Sequence, residues 1–418
     1  MDYKAELEII CKKASKAARE LATFSTNKKN KILEAMSEAI LNAREEIQAA
    51  NEIDLKNGEE AGLSSAMIDR LRLNDARIDA MAKGLTDVAG LQDPAGIIES
   101  NFHRPNGLHI EKVRVPIGVI GIIYESRPNV TVDATALCFK AGNIVILRGG
   151  KEAFNSNKIL VDIMQKAGEE AGLPDGTVQL IPWTDREAVD ILLKMDEYIN
   201  LIIPRGGEGL IRAVAEKSTI PVIKHYKGVC HVYVDATADM HMANDIIINA
   251  KCQRPGVCNA VETVLIHKDI APDFIPVISK SLKDQGVEIR GNDLYRQYDP
   301  DSVQATEQDW YDEYLELILA VRVVDSIDEA IEHIADYGSG HSDAIVSADK
   351  MSQIKFRNEV DSAAVYINAS TRFTDGAMFG MGAEIGISTD RLHARGPMGL
   401  AELTTYKYIV NGEGQIRD

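Results

Sequence analysis

The chain predicts an α/β protein of two α/β domains, each with a mostly parallel sheet, plus a small β flap. Three observations carry that expectation. Between residues 117 and 225, short β-branched runs alternate with helix-length amphipathic runs, the pattern of a parallel sheet covered on both faces. A second series of the same kind starts near residue 231. Ahead of both, the hydrophobic period switches from helical to alternating, which marks strands outside either series.

Residues 1–90 read as helices, with apolar positions at helical spacing, as in "KILEAMSEAILNAREEI". "NGLHIEKVRVPIGVIGIIY" reads as strands, with "PNG" at 105–107 as a turn. The first series then runs "GVIGII" (strand), "VTVDATALCFKAG" (helix), "NIVILRGG" (strand and loop) and "EAFNSNKILVDIMQKAGEEAG" (helix). It continues with "TVQLI" (strand), "DREAVDILLKM" (helix), "INLIIP" (strand), "GEGLIRAVAEKS" (helix) and "PVIK" as a last strand. The second series places strands at "HVYVD", "AVETVLIH", "GVEI", "LILAVRVV", "DAIVS" and "AAVYIN", with helices between them, among them "DMHMANDIIINAKC". Residues 291–314 are polar and aromatic and read as a surface excursion, and "TTYKYIVNGEGQIRD" as one more strand.

At 418 residues and 45% hydrophobic, the chain can bury the cores of two or three domains. Its formal charge of −18 argues against nucleic acid or an anionic membrane as a main partner. A few local arginines still suffice for small anions. The strongest apolar runs, such as "VPIGVIGIIY", fall short of the roughly 18 residues of a membrane span. The N-terminus is charged and helix-like rather than a signal peptide. The cysteines at 11, 138, 230, 252 and 258 are odd in number without framework spacing, which predicts free thiols and a cytoplasmic protein.

"RGG" occurs twice after a strand and before a helix, as Arg148-Gly149-Gly150 and Arg205-Gly206-Gly207. Glycines permit close backbone approach, helix-start N–H groups attract an anion, and arginine forks phosphate. One such loop alone leaves ordinary strand-to-helix chemistry and an anion site equally open; two in one sheet point to a phosphate-rich cofactor. G-x-G-x-x-G is absent. In "KCQRPGVCNAVETVLIH" the C-x5-C spacing lacks a second pair, so no metal is expected. Cys252 reads as a packing thiol at a helix end. Cys258 lies on a turn beside Asn259, with Lys251 and Arg254 near in sequence. A cationic setting and free N–H groups favour a thiolate nucleophile. Spacing alone leaves both a structural and a catalytic thiol open. Glu384 sits between glycines in "FGMGAEIGIST", either to bind a ribose diol or as a solvated loop charge.

In order along nearly the whole chain, "VPIGVIGIIYESRPNVTVDA", "AGNIVILRGGKEA", "IPRGGEGLI", "QRPGVCNAVETVLIH", "YGSGHSDAIV" and "EIGISTDRLHARGPMGL" resemble the aldehyde dehydrogenase superfamily. "QRPGVCNA" and "YGSGHSDAIV" resemble in particular the branch that reduces L-glutamate 5-phosphate to L-glutamate 5-semialdehyde in proline biosynthesis. The resemblance implies an aldehyde-dehydrogenase-like fold: a cofactor domain at 1–97 and 116–228, a catalytic domain at 229–390, and an oligomerisation flap at 98–115 and 403–412. It implies Cys258 as the nucleophile and Glu384 as the residue holding the nicotinamide ribose. It puts Arg148, with Gly149 and Gly150, near the adenosine ribose, and Arg205-Gly206-Gly207 in place of a glycine-serine-threonine turn. Asn129, in "YESRPNV", takes the place of the oxyanion asparagine.

Two departures from the wider family refine this. The segment matching the family's water-activating glutamate is "HYKGVCHVYVD", with no acid at that place, so a thioester is expected to survive for transfer to phosphate. Lys151 stands where an acid commonly selects NAD, which implies NADPH/NADP+. From their neighbourhood in sequence, Arg254 is the substrate-binding candidate for the leaving phosphate or the substrate carboxylate, and Ser339, His341, Ser342 and Arg372 are those for the amino-acid end. The implied partners are this small-molecule substrate and phosphate, further copies of the chain in a homo-oligomer, and transiently glutamate 5-kinase. The alternatives are a coenzyme A-acylating or other non-hydrolytic relative, and a non-catalytic NADP-binding redox scaffold.

Overall fold

The computed structural model describes residues 2–417; Met1, the first residue of the expected cofactor domain, lies outside them. Two compact units emerge. The first holds Met1–Lys224, Gly380–Gly386 and Met398–Asp418; the second holds His225–Phe379 and Ile387–Pro397.

The first unit opens with α1 (Tyr3–Leu21), α2 (Thr26–Asn42), α3 (Arg44–Glu60), α4 (Ser65–Leu71) and α5 (Asp75–Gly90). Asp2, Ser25, Ser64 and Asn74 cap α1, α2, α4 and α5 by accepting from backbone N–H groups, each cap contributing about 1 kcal/mol. A hairpin follows, β1 (Ile98–His103) and β2 (His109–Pro116). Its turn needs Gly107 at φ +89, a conformation costly for any residue with a Cβ.

Then come β3 (Val119–Tyr124), α6 (Asn129–Lys140), β4 (Ile144–Arg148), α7 (Phe154–Glu170), β5 (Val178–Leu180), α8 (Arg186–Leu192), β6 (Leu201–Arg205) and α9 (Glu208–Lys217). The four strands form one parallel sheet, ordered β5-β4-β3-β6. Every residue of β3 is buried, as expected for a strand covered on both faces. The expected strand "PVIK" is reduced to a single bridge between Ile202 and Val222. Pro221 has no N–H to extend a ladder.

The second unit runs β7 (Cys230–Val234), α10 (Met240–Cys252), β8 (Val261–His267), α11 (Ala271–Asp284), β9 (Glu288–Gly291), α12 (Asp293–Arg296), β10 (Val303–Gln304), β11 (Ile318–Val324), α13 (Ile327–Tyr337), β12 (Ser342–Val346), α14 (Lys350–Glu359) and β13 (Ala364–Ile367). These strands build a seven-stranded parallel sheet, β10-β9-β11-β8-β7-β12-β13. One apolar cluster joins Val232, Val264 and Val321 to Ile247 of α10 and Phe274 of α11. Another joins Tyr233, Leu265 and Ile345 to Ile334 of α13 and Phe356 of α14. Helices thus cover both faces. The short pair β14 (Ile387–Ser388) and β15 (Gly396–Pro397) completes the unit.

Residues 291–314 run along the surface as expected, half of them exposed, and are anchored at a few buried points. Tyr295 is fully buried, and Asp309 and Trp310 nearly so. The Asp309 carboxylate is inside because it is satisfied: Arg290 Nη1 and the Tyr314 hydroxyl both donate to its Oδ1, at 2.7 and 2.8 Å.

The last strand, β16 (Thr404–Asn411), pairs antiparallel with β2, giving the order β1-β2-β16. Among the described residues no helix is long and apolar enough to cross a membrane.

Candidate active site

In the first unit, β3 lies between β4 and β6. Ile123 is the register partner of Arg148, and Tyr124 that of Arg205. Both RGG loops and the 125–128 loop therefore leave the sheet at one carboxyl edge, around a strand whose successors go to opposite sides. That is where open parallel sheets take ligands.

Arg148 is partly buried, donates from Nη2 to Thr184 O at 2.6 Å, and keeps a buried Nε without a partner; burial pushes its pKa down. Gly149 is pressed so closely onto Asn157 that a Cβ there would overlap its side-chain amide and crowd the Tyr124 ring. Gly150 leads into a short 3-10 turn, Lys151–Ala153, in which Lys151 is exposed. Ser126, at φ +39, donates from its N and Oγ to Glu152 Oε1 at 2.7 Å. Gly206 precedes Gly207, the N-cap of α9, and the Gly207 N–H donates to Glu125 Oε2 at 2.9 Å. The loop ahead of α9 thus already receives an anionic oxygen, here a carboxylate.

Glu384 lies on the returning segment Gly380–Gly386 and lines a concavity with Gly84, Val88, Asp133, Ala136, Leu137 and Ala383. Gly386 abuts the Arg205 guanidinium, which ties that segment to the second RGG loop. Asn129, in the first turn of α6, is exposed and donates from Nδ2 to Asp133 Oδ2 at 3.0 Å. Burial pushes Asp133 up, against that hydrogen bond and the charge of Arg205. The first unit therefore brings Arg148 to Lys151, Arg205 to Gly207, Asn129 and Glu384 to neighbouring loops. An unpartnered buried donor, N–H groups that take an oxyanion and a nearby carboxylate fit a nicotinamide dinucleotide.

In the second unit, α10 ends at Cys252 and β8 begins at Val261. The turn between them presents Cys258, half-buried. On one side stands Gly228, where a Cβ would lie 2.6 Å from Cys258 Cα. On the other, the nearly buried Asn259 is tied to 371–374. Its Nδ2 donates to Thr374 O at 2.8 Å, its O accepts from Thr371 Oγ1 at 2.7 Å, and its Oδ1 accepts from Arg372. Behind the thiol, buried Cys230 donates from Sγ to Cys258 O at 3.2 Å. If Cys258 carries the reaction, Gly228→Ala is expected to lower kcat by about 100-fold through displacement of its turn, with the fold intact by circular dichroism. Parental turnover would show that the turn does not depend on this contact.

Arg372 donates to Gln253 Oε1 from Nε and Nη2 at 2.9 and 2.8 Å. Burial, and then the like charge of exposed Arg254, push its pKa down. Two neighbouring guanidinium groups of one sign attract an anion beside the Cys258 turn.

The other three substrate candidates are placed differently from that expectation. His341 and Ser342 are fully buried. His341 Nδ1 is 2.8 Å from Ser342 Oγ and 3.7 Å from Cys230 Sγ, and Ser342 Oγ is 2.6 Å from Thr374 Oγ1. Burial, and then His225, push His341 down to about 3, so it is neutral near pH 7. Ser339 donates from N and Oγ to Val229 O. His341 and Ser342 form a buried wall behind the Cys258 turn, and Ser339 is half-buried beside it. Sequence reading passed over Gly228, Cys230 and Asn259 in this role. Their only local signal was nearness to Cys258 or membership of a segment read for what it lacked.

Comparison with known proteins agrees in kind with these features. The aldehyde dehydrogenase family model matches residues 2–293. The γ-glutamyl phosphate reductase of Caldanaerobacter subterraneus subsp. tengcongensis is 57% identical over 412 residues, 99% of this chain and 100% of that protein. That of Carboxydothermus hydrogenoformans is 58% identical, covering 98% of each. The crystal structure of γ-glutamyl phosphate reductase from Thermotoga maritima superposes with a TM-score of 0.98 at 50% identity, covering 99% of this chain and 100% of that one.

Proposed function

The chain belongs to the aldehyde dehydrogenase family, in its γ-glutamyl phosphate reductase branch, and from that premise we propose that it reduces L-glutamate 5-phosphate to L-glutamate 5-semialdehyde, releasing phosphate, in proline biosynthesis. The observation that carries this reading is the Cys258 turn, clamped between Gly228 and Asn259 and flanked by Arg254 and Arg372.

The Cys258 thiolate attacks the acyl carbon; a C–S bond forms and the C–O bond to phosphate breaks. The Cys258 N–H, with the Asn129 amide assigned by the resemblance, takes up the charge on the carbonyl oxygen. Arg254 and Arg372 hold the departing phosphate or the substrate carboxylate. NADPH, when bound, supplies the hydride. Arg148, Gly149, Gly150, Lys151, Arg205, Gly206, Gly207 and Glu384 are the residues that would hold it, and Lys151 supports a 2′-phosphate. Collapse at Cys258 then releases the semialdehyde and restores the thiolate. Residues 225–230 carry no carboxylate, so no acid on that segment activates water, and the thioester exchanges with phosphate. We assign Ser339, His341 and Ser342 to holding residues 229–230 instead of the substrate.

We also read the exposed apolar side chains of β1 and β16, among them Phe102, Tyr408 and Val410, as the surface joining copies into a homo-oligomer. Transient association with glutamate 5-kinase rests on the resemblance, and a cytoplasmic location on the free thiols.

The test is oxidation of glutamate 5-semialdehyde. NADP+ reduction is expected to require inorganic phosphate and to run faster than NAD+ reduction. Dependence on coenzyme A in place of phosphate would move the chain to the acylating relatives.

A further inference from the structure

We propose that Glu313 is a positioning residue for Cys258, and that residues 313–315 brace the nucleophile turn from beneath; the inference rests on reading Cys258 as the nucleophile. Three consecutive residues each engage a different part of the frame around that turn. Glu313 Oε1 accepts from the Gly228 N–H at 2.9 Å, and Gly228 is the residue packed against the Cys258 backbone. Leu315 N donates to Glu262 Oε1 at 3.4 Å. The Leu315 carbonyl faces Gly256 inside the turn, 3.6 Å from where a Cβ would stand. The Tyr314 ring lies 5.7 Å from Lys251 Nζ.

Lys251 and Glu262 are both fully buried and 2.5 Å apart. One sits in the last turn of α10 and the other at the start of β8, so the pair pins the two ends of the 253–260 turn together. Residues 313–315 rest on that pair and reach past it to Gly228.

The brace is itself fixed in place. The Tyr314 hydroxyl donates to Asp309 Oδ1 at 2.8 Å, and the Arg290 guanidinium lies 5.1 Å over the Tyr314 ring. Leu315 is held at φ +55, which a branched side chain rarely adopts unless its surroundings determine it. A glutamate accepting a backbone N–H makes a charge-assisted bond, short and directional. Its removal frees Gly228, and with it the surface that fixes Cys258.

The experiment compares Glu313→Ala and Glu313→Gln in the full chain. Glu313→Ala is expected to lower kcat by about 100-fold while leaving both KM values unchanged, since a nucleophile displaced by about 1 Å loses rate and not ground-state binding. It is also expected to slow alkylation of Cys258 by iodoacetamide at fixed pH. Glu313→Gln still offers an oxygen to the Gly228 N–H and is expected to keep kcat within about fivefold of the parent. Parental kcat in Glu313→Ala, a Gln variant as impaired as the Ala variant, or a raised KM at unchanged kcat would each overturn the brace. An active Cys258→Ala would instead overturn the nucleophile reading; an inactive Cys258→Ala beside a fully active Glu313→Ala would remove the brace alone.

Discussion

Cys258→Ala is expected to lose at least about 10⁴-fold in kcat, because a covalent route removed at its first atom leaves only binding and charge stabilisation. NADPH binding, followed by quenching of protein fluorescence, is expected to be unchanged, since every residue assigned to the cofactor lies in the other unit. The choice among five free thiols is physical. Burial pushes Cys11 and Cys138 up to about 12 and Cys230 well above its ordinary value; it also raises half-buried Cys252. A thiol so placed holds its proton near pH 7 and reacts slowly. Cys258 has arginines beside it and sits on a turn whose ends are fixed. Brief treatment with iodoacetamide is expected to modify Cys258 before the other four, and turnover to fall in step with that one modification. A Cys258→Ala protein that still reduces acyl phosphate would end the covalent reading, because no second thiol is placed to replace it.

How much of this was legible in sequence depends on distance along the chain. The alternation from 117 to 225 gave the first parallel sheet because each strand is a continuous apolar run such as "GVIGII", buried on both sides. The RGG loops were found as pairs of arginine and glycines, and β3 brings them to one edge through a register that sequence does not print. "PVIK" failed as a strand because its first residue is proline. The 291–314 stretch was rightly read as a surface segment, but its buried anchors were not legible, because polarity is read residue by residue, whereas Asp309, Arg290 and Tyr314 become compatible with burial only together. The same limit hid the wall behind Cys258. His341 and Ser342 read as polar residues without a stated depth, and they are fully buried, with His341 Nδ1 on Ser342 and Cys230 and Ser342 Oγ on Thr374. Gly228, 30 residues before its contact at Cys258, carries no local sign that a Cβ there is forbidden.

The second large effect concerns stability. Lys251→Met is expected to destabilise the fold by about 3–5 kcal/mol, since it strands a buried carboxylate, seen as a fall in the urea midpoint. The loss has a defined pH dependence. Burial, partly offset by Lys251, already pushes the Glu262 carboxyl from 4.5 up to about 7. Without the lysine the folded state holds that proton more firmly still, while the unfolded chain releases it at its ordinary value. Between about 4.5 and the raised value the folded state therefore binds more protons, and its stability falls as pH rises through that window. The deficit of Lys251→Met is expected to be smaller at pH 5.5 than at pH 8; a deficit that shrinks with rising pH would contradict the burial of a lone carboxylate. Replacing both partners, as Lys251→Met with Glu262→Leu, is expected to restore most of the midpoint, because an apolar pair carries no desolvation cost. If turnover stays depressed in that stable double variant, the pair's contribution is the geometry it imposes on the Cys258 turn and not the free energy of its charges. If turnover returns with the midpoint, packing at these two positions is sufficient to hold the turn.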